Sequence, residues 1–168
     1  MTLSMFQASV PVLIKQCQVI TNLIAKGEAH AQQTGMDPAE LFEARLAPDM
    51  LAFPKQVQIT SDTAKGGAAR LAGLTPPSWA DDEANLPALR ERAAKTISFL
   101  QGISADQIDG SEERDIVLKI AGNEMTFSGR DYLLGFVLPN VFFHVTTAYG
   151  LLRNKGVPLG KRDFLGAA

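Results

Sequence analysis

The stretch FVLPNVFFHVTTAYGLLRNKG, residues 136–156, forms most of the last and most apolar amphipathic segment of this chain. Its apolar residues recur at spacings of three and four, which is typical of a helix with one buried face. The predicted helix runs from about Gly129 to Lys155 and ends at Gly156, and Pro139 should bend it. Its buried face comprises Leu134, Val137, Leu138, Val141, His144, Ala148, Leu151 and Leu152.

Three further long segments with the same period precede this helix. In the first, Ser4 can cap a helix that Pro11 kinks and that loses definition beyond Gly27. Its apolar stripe is Phe6, Val10, Leu13, Cys17, Ile20 and Ile24. The first segment therefore predicts one long, bent helix at the N-terminal side of the fold.

The middle of the chain predicts a short helix over 38–44 and then two long helices. The first long helix begins at Pro48 and ends at Gly73, and the second has Pro87 in its first turn and weakens at Gly102. The buried positions of these two helices are Met50, Phe53, Val57, Ala64, Ala68 and Leu71, then Leu86, Leu89, Ala93, Ile97 and Leu100.

After an irregular turn at 104–109 the hydrophobic period changes. The runs DIVLKI (115–120) and MTF (125–127) flank a turn centred on Gly122-Asn123, a pattern typical of a β-hairpin. The sequence therefore predicts an all-α protein, a four-helix bundle with a short β-hairpin before its last helix. Residues 1–168 are expected to form a single domain.

Composition limits the class of function. The chain is 46% apolar and 20% charged with a formal net charge of −2, so we expect neither a nucleic-acid partner nor a membrane span. Its only cysteine, Cys17, lies on a predicted core stripe, which fits a structural thiol in the cytoplasm. A small basic cluster near the chain end either complements a helix dipole or meets an anionic partner: Arg153, Lys155, Lys161 and Arg162.

His144 is the main candidate for chemistry, because it interrupts the apolar stripe of the last helix. Three interpretations remain open: a hydrogen-bonded core residue, a metal ligand, or a general base in a pocket. A catalytic zinc normally takes three protein ligands, and the positions one turn away are Asn140 and Ala148. The local sequence therefore does not make a metal site by itself.

Other polar or small residues have simpler explanations. His30 is expected to be a solvated surface residue. The acidic run 81–83 precedes a helix and should complement its dipole. Gly66-Gly67 should allow close approach of two helices, since the sequence around them lacks the rest of a phosphate-binding loop.

The segment 136–156 with the following VPLGKRDFLG (157–166) resembles the signature of a bacterial family of unknown function within the DinB/YfiT-like superfamily. The likeness continues in SMF (4–6), LAPDM (46–50) and ARLAG (69–73). It implies a four-helix bundle, often a homodimer, and in many members a divalent metal held by three histidines. Two of these lie on the last helix at a His-x-x-x-His spacing, and one lies on helix two.

Carried over residue by residue, the resemblance leaves one of these three ligands. His144 takes the place of the second histidine of the pair and Asn140 that of the first, while the helix-two histidine falls near Gln56 or Gln58. Some superfamily members are thiol-dependent transferases or isomerases, so the resemblance also implies an enzyme class.

Two hypotheses follow. The first is a bundle without metal catalysis that binds a small molecule or acts as a homodimeric interaction module. The second is an enzyme that uses His144 with Asn140, Gln56 and either Tyr149 or Tyr132, through an atypical zinc or nickel site or through His144 as acid or base. The second hypothesis predicts a pocket that reaches His144 and a shifted histidine pKa. A buried, fully hydrogen-bonded His144 without a cavity would argue against it.

Overall fold

The computed structural model describes residues 3–120 and 122–166. In it, prolines and capping residues determine where the first helices begin and end. Helix α1 spans Met5–Ala8 and is capped by Ser4, and helix α2 spans Val10–Thr34. Pro11 is near the start of α2, so the chain breaks between two helices there instead of bending within one. The predicted loss of helix beyond Gly27 is wrong, since α2 continues to a left-handed Gly35.

The middle helices follow the prediction with shifted starts. Helix α3 spans Pro38–Phe42 and helix α4 spans Phe53–Leu71, five residues later than predicted from Pro48. Helix α5 spans Leu86–Gln101, with Asn85 as its N-cap. The predicted irregular turn after it contains a short helix α6, Ala105–Ile108.

The predicted hairpin is present as strands β1, Asp115–Ile120, and β2, Asn123–Ser128. Ile120 pairs with Asn123, so the turn lies one residue earlier than predicted. Gly122 adopts a φ of 83°, which glycine accepts without strain. Ala121 lies outside the described residues.

The last helix contains a π-helical segment that the sequence pattern did not predict. Helix α7 spans Gly129–Tyr132, the π segment spans Leu133–Val137, and helix α8 spans Leu138–Asn154. Pro139 is the second residue of α8, just beyond this segment, and lacks the amide hydrogen that a regular turn requires. A π-helical turn contains one residue more than an α-helical turn. The residues that face the core before this turn are therefore shifted by one position toward the N-terminus. As a result Leu134, predicted inside, is 55% exposed, and Leu133 is buried instead.

Helices α2, α4, α5 and α8 form the predicted four-helix bundle, in which α2 and α4 each pack against both α5 and α8. Gly67 allows close packing, because a Cβ there would lie 2.7 Å from Val137 Cγ1. A short C-terminal helix, α9, spans Lys161–Leu165 and packs on α2, where Lys26 forms an ion pair with Asp163. Tertiary packing thus confirms a mostly helical fold with one small hairpin.

By length and composition alone, two helical stretches could cross a membrane, Met5–Thr34 and Gly129–Asn154. Core helices of soluble proteins pass the same test, and these two pack against each other within the bundle. Their apolar character is therefore weak evidence for a membrane span.

Candidate functional site

His144 lies inside the bundle, where α8 faces the first turn of α4. Its Nδ1 is 2.7 Å from Oε1 of Gln56, and both side chains are buried. Gln56 Nε2 donates to the carbonyl of Leu51 at 2.9 Å. Since the amide nitrogen is committed there, Oε1 accepts and His144 Nδ1 donates. The structure thus brings together two of the predicted site residues in one fixed pair.

The remaining imidazole nitrogen of His144, Nε2, has no hydrogen-bond partner among the described residues. Burial lowers the pKa of His144, because removal from water disfavours the imidazolium. The ring of Phe143 meets the imidazole edge-on, with centroids 5.1 Å apart. His144 is therefore held as a neutral imidazole with Nδ1–H bonded and Nε2 available as an acceptor.

The other predicted site residues do not join this pair. Asn140 and Tyr149 are half-buried, and within the described residues neither is hydrogen-bonded to His144. Gln58 Nε2 donates to Glu83 Oε2 at 2.8 Å. Tyr132 is buried, and its hydroxyl accepts a hydrogen bond from Arg70. The predicted constellation is thus reduced to His144 and Gln56.

The donor set at His144 does not fit a divalent metal. Residues 3–120 and 122–166 contain no group of three or more His, Cys, Asp or Glu side chains placed for a metal ion. Moreover, His144 offers one nitrogen only, beside the neutral amides of Gln56 and Asn140. Such donors are poor ligands for zinc or nickel, so the residues present do not match the three-histidine site that the resemblance implies.

We expect the buried His144 to make folding stability depend on pH. Its folded pKa lies below the value of about 6.5 in unfolded chains. Between these two values the unfolded chain binds more protons, so stability is complete above about pH 6.5 and falls on acidification, by at most about 1.4 kcal/mol per pH unit.

Chemical denaturation between pH 5 and 8 tests this expectation, with His30→Gln in both proteins so that His144 is the only histidine. His144→Gln should remove the slope between the folded pKa and about pH 6.5. An equal slope in the two proteins would contradict the assignment.

A second polar cluster, which sequence reasoning missed, surrounds Arg92 of α5. The guanidinium is buried, and it donates to the carbonyl of Ala80 at 2.8 Å. It also pairs with three carboxylates, those of Glu83 at 2.9 Å, Asp62 at 2.7 Å and Asp81 at 3.0 Å. Arg92 of α5 therefore links the loop between α4 and α5 to both helices, through Ala80, Asp81 and Glu83 of the loop and Asp62 of α4.

This cluster corrects the prediction for the acidic run 81–83. Asn85 caps α5, while Asp81 and Glu83 are ion-paired to Arg92. Hydrogen bonding from Lys55, together with Arg92, lowers the pKa of Asp81. Burial raises the pKa of Glu83, but hydrogen bonds from Arg92 and Gln58 outweigh it, so the net shift is downward. These carboxylates stabilise a buried cation more directly than they do a helix dipole.

An open cleft of about 590 Å³ lies beside Arg92, between the loop and α5. The only tryptophan, Trp79, lines it together with Asp82, Glu91 and Lys95. Two ammonium groups lie over the indole, Lys95 Nζ at 4.4 Å and Lys65 Nζ at 4.9 Å from the ring centroid. The cleft is within the size range of small-molecule sites and has an aromatic wall.

One sequence signal could have found this cluster. Arg92 lies three residues after Leu89 and eight before Leu100, on the buried stripe of α5. A charge on an apolar stripe is the same criterion that singled out His144. The partners of Arg92 come from α4 and from an irregular loop, so their identity was not readable from the spacing.

Of two simpler predictions, the one for Cys17 agrees with the structure and the one for His30 does not fully agree. Burial raises the pKa of the Cys17 thiol to about 12, which keeps it protonated and unreactive. His30 lies on the last turns of α2 and is half-buried, more enclosed than a fully solvated residue.

A separate cleft of about 340 Å³ near the α2 C-terminus has mainly apolar walls, formed by residues such as Ala31, Met36 and Leu86.

Comparison with known proteins places this geometry in context. The family described as "Domain of unknown function (DUF1993)" matches residues 5–165. The crystal structure of a DinB family member from Shewanella denitrificans is similar to this chain with a TM-score of 0.86 and 36% identity. The match covers 97% of this chain and 92% of that protein. A comparison with curated proteins found no match.

Proposed function

Because this chain belongs to the DUF1993 family and has a DinB-like fold, we propose that it is a helical-bundle protein that binds a small molecule without a three-histidine metal site. The cleft beside Trp79 is the observation that carries this proposal. It combines a volume in the range of small-molecule sites with one aromatic side chain and several charged groups that could orient a polar ligand. The lack of a fitting metal donor set at His144 supports binding at Trp79 over metal catalysis at His144.

The single tryptophan supplies a direct test. Trp79 is the sole indole in the chain and lines the cleft, so its fluorescence reports on occupation of this site. Titration of the purified protein with a metabolite library should identify ligands that change the emission saturably and also raise Tm. Ligand binding to the native state alone raises stability by about 2.7 kcal/mol at one hundred times the Kd.

A matched variant separates this site from others. Trp79→Leu removes the ring and should abolish the ligand-induced rise in Tm. Tyr149→Leu, an aromatic exchange away from the cleft, should keep it. A ligand that stabilises the Trp79→Leu protein as much as the wild type binds elsewhere and contradicts the proposed location.

A second candidate function rests on the His144–Gln56 pair. A neutral imidazole whose Nδ1–H is fixed by Gln56 leaves Nε2 as a base, as in acid–base enzymes. Modification by diethyl pyrocarbonate, followed by the ultraviolet absorbance of N-carbethoxyhistidine, tests access to Nε2, with His30→Gln as background so that His144 is the only histidine. Rapid, saturable modification supports the candidate, whereas a protected His144 counts against it. The clefts described above are not lined by His144, which favours the first function.

The proposed assembly is a homodimer in the cytoplasm. Exposed apolar side chains on the last helix support it, since Leu134 and Phe143 are 55% and 59% exposed. The single buried cysteine is compatible with a reducing compartment. Light scattering at micromolar concentration tests the proposed homodimer, and a mass equal to that of one chain would contradict it.

A further inference from the structure

Lys95 shows what kind of group the wall of the Trp79 cleft accepts. Its ammonium nitrogen lies 4.4 Å from the indole centroid, within the range in which a cation is attracted to an aromatic face. Lys95 is exposed and forms no ion pair in the part of the chain that the structure describes. Lys65, in contrast, is buried and paired with Asp62. Lys95 is thus an exposed cation over the ring without an ion pair among the described residues, whereas Lys65 is buried and ion-paired.

The charges around the cleft favour a second cation. Arg92 and Glu83 line the cleft, but their charges are engaged with each other and, for Arg92, with Asp62 and Asp81. The carboxylates of Asp82 and Glu91 are exposed and form no ion pair among the described residues. Among the described residues, two carboxylates and one ammonium without an ion pair, those of Asp82, Glu91 and Lys95, therefore line the same cleft. An anionic ligand would meet this excess negative charge unfavourably.

We propose that the Trp79 cleft binds an aliphatic amine, whose ammonium group replaces that of Lys95 over the indole and pairs with Asp82 or Glu91. This inference rests on the proposed small-molecule function and names its ligand class. The cleft volume of about 590 Å³ accommodates a short chain with one or two ammonium groups. Hydrogen bonds between a primary ammonium and carboxylates are charge-assisted, so they add direction to the cation–π contact.

Three probes of similar size and different charge test the class. Trp79 fluorescence is followed during titration with butylammonium, butanol and butyrate at neutral pH. Butylammonium should change the emission saturably, while the neutral and anionic analogues should not. The diamine putrescine should bind about tenfold more tightly than butylammonium, because its second ammonium can reach the other carboxylate.

Variants of the cleft test the mechanism. Lys95→Met removes the competing ammonium and should strengthen butylammonium binding about three- to tenfold. Lys119→Met makes the same change of net charge on the hairpin and should leave the affinity as in the wild type. Asp82→Asn combined with Glu91→Gln should weaken binding about tenfold. An unchanged affinity in Lys95→Met would overturn the replacement of Lys95.

The outcomes distinguish this inference from the proposed function. Binding of butyrate or butanol as tight as that of butylammonium, or a library ligand without an amine at Trp79, overturns the amine class and leaves the binding site in place. If the protein responds neither to the amines nor to any library compound, the amine inference and the proposed small-molecule function are both contradicted. Saturable, charge-selective binding that depends on Lys95, Asp82 and Glu91 supports both.

Discussion

Replacement of Arg92 by methionine should lower the free energy of unfolding by about 3 kcal/mol, which corresponds to a fall in Tm of roughly 6–12 °C for a chain of this size. Methionine keeps much of the apolar stem and removes the guanidinium. The side chain of Glu83, which is 10% exposed, then loses its only cationic partner in the described structure. This largely enclosed carboxylate is the main cost, because it is left without an opposite charge.

The size of this effect takes the exposure of the other partners into account. The side chains of Asp62 and Asp81 are 44% and 36% exposed and keep the lysines Lys65 and Lys55. Water therefore screens their loss of Arg92, and the expected effect is at the lower end of the range for broken buried pairs.

Arg90→Met is the matched control for this experiment. Arg90 lies on the same helix, and its side chain is 46% exposed in an ion pair with Glu28. Its replacement should change stability by about 0.5 kcal/mol or less. Urea unfolding of the three proteins decides the matter, and equal midpoints for Arg92→Met and Arg90→Met would show that the buried cluster does not stabilise the fold.

The pH dependence gives an independent check. The folded pKa values of Asp81 and Glu83 are below those of unfolded carboxyls, which titrate near pH 4. Their contribution is therefore present above about pH 4.5 and is lost as the pH falls through the folded values. The difference in stability between the wild type and Arg92→Met should accordingly shrink on acidification below pH 4.5.

Gly129→Ala should destabilise the protein by about 3 kcal/mol, although alanine is the better helix former. A Cβ at Gly129 would lie 1.9 Å from the carbonyl oxygen of Ser111, a backbone atom that cannot rotate away. Next to it, the amide of Arg130 donates to the carbonyl of Glu112 at 2.9 Å. The extra methyl group would therefore separate the start of α7 from the segment before the hairpin.

Gly135→Ala, in the π segment that follows α7, is the control with the opposite expected sign. A Cβ at Gly135 would meet nothing within 4 Å, so the substitution should be neutral or stabilise by up to about 1 kcal/mol. Chemical denaturation of both variants measures the difference. A Gly129→Ala protein as stable as Gly135→Ala would show that the chain tolerates the displacement.

Most of the bundle was predictable because its signals are local. Apolar residues at helical spacing identified the four long helices, and the change of period at 115–120 identified the hairpin. The boundaries were less predictable. Pro11 starts a helix instead of bending one, and the π segment Leu133–Val137 exchanges the exposure of two leucines. The extra residue in a π turn depends on how the helix packs against its neighbours, and the hydrophobic pattern of the helix itself does not reveal that packing.

The candidate sites show the same division. A histidine on an apolar stripe pointed to His144, and the resemblance pointed to Gln56, and these two side chains are in contact. The acidic run 81–83 was visible in the sequence, but its partner Arg92 was not identified. The cleft beside Trp79 was not predicted, because its walls come from an irregular loop and a helix that only tertiary packing brings together.

The sequence by itself determined the class of fold, the order of the long helices and the hairpin, and one position, His144, where a polar group interrupts a buried face. Those properties follow from the hydrophobic period, which each segment carries without reference to the rest of the chain. Only the tertiary structure decided which groups neutralise the buried polar residues. Gln56 engages His144 and three carboxylates engage Arg92, because burial costs a polar group its water and packing must supply a partner from another element.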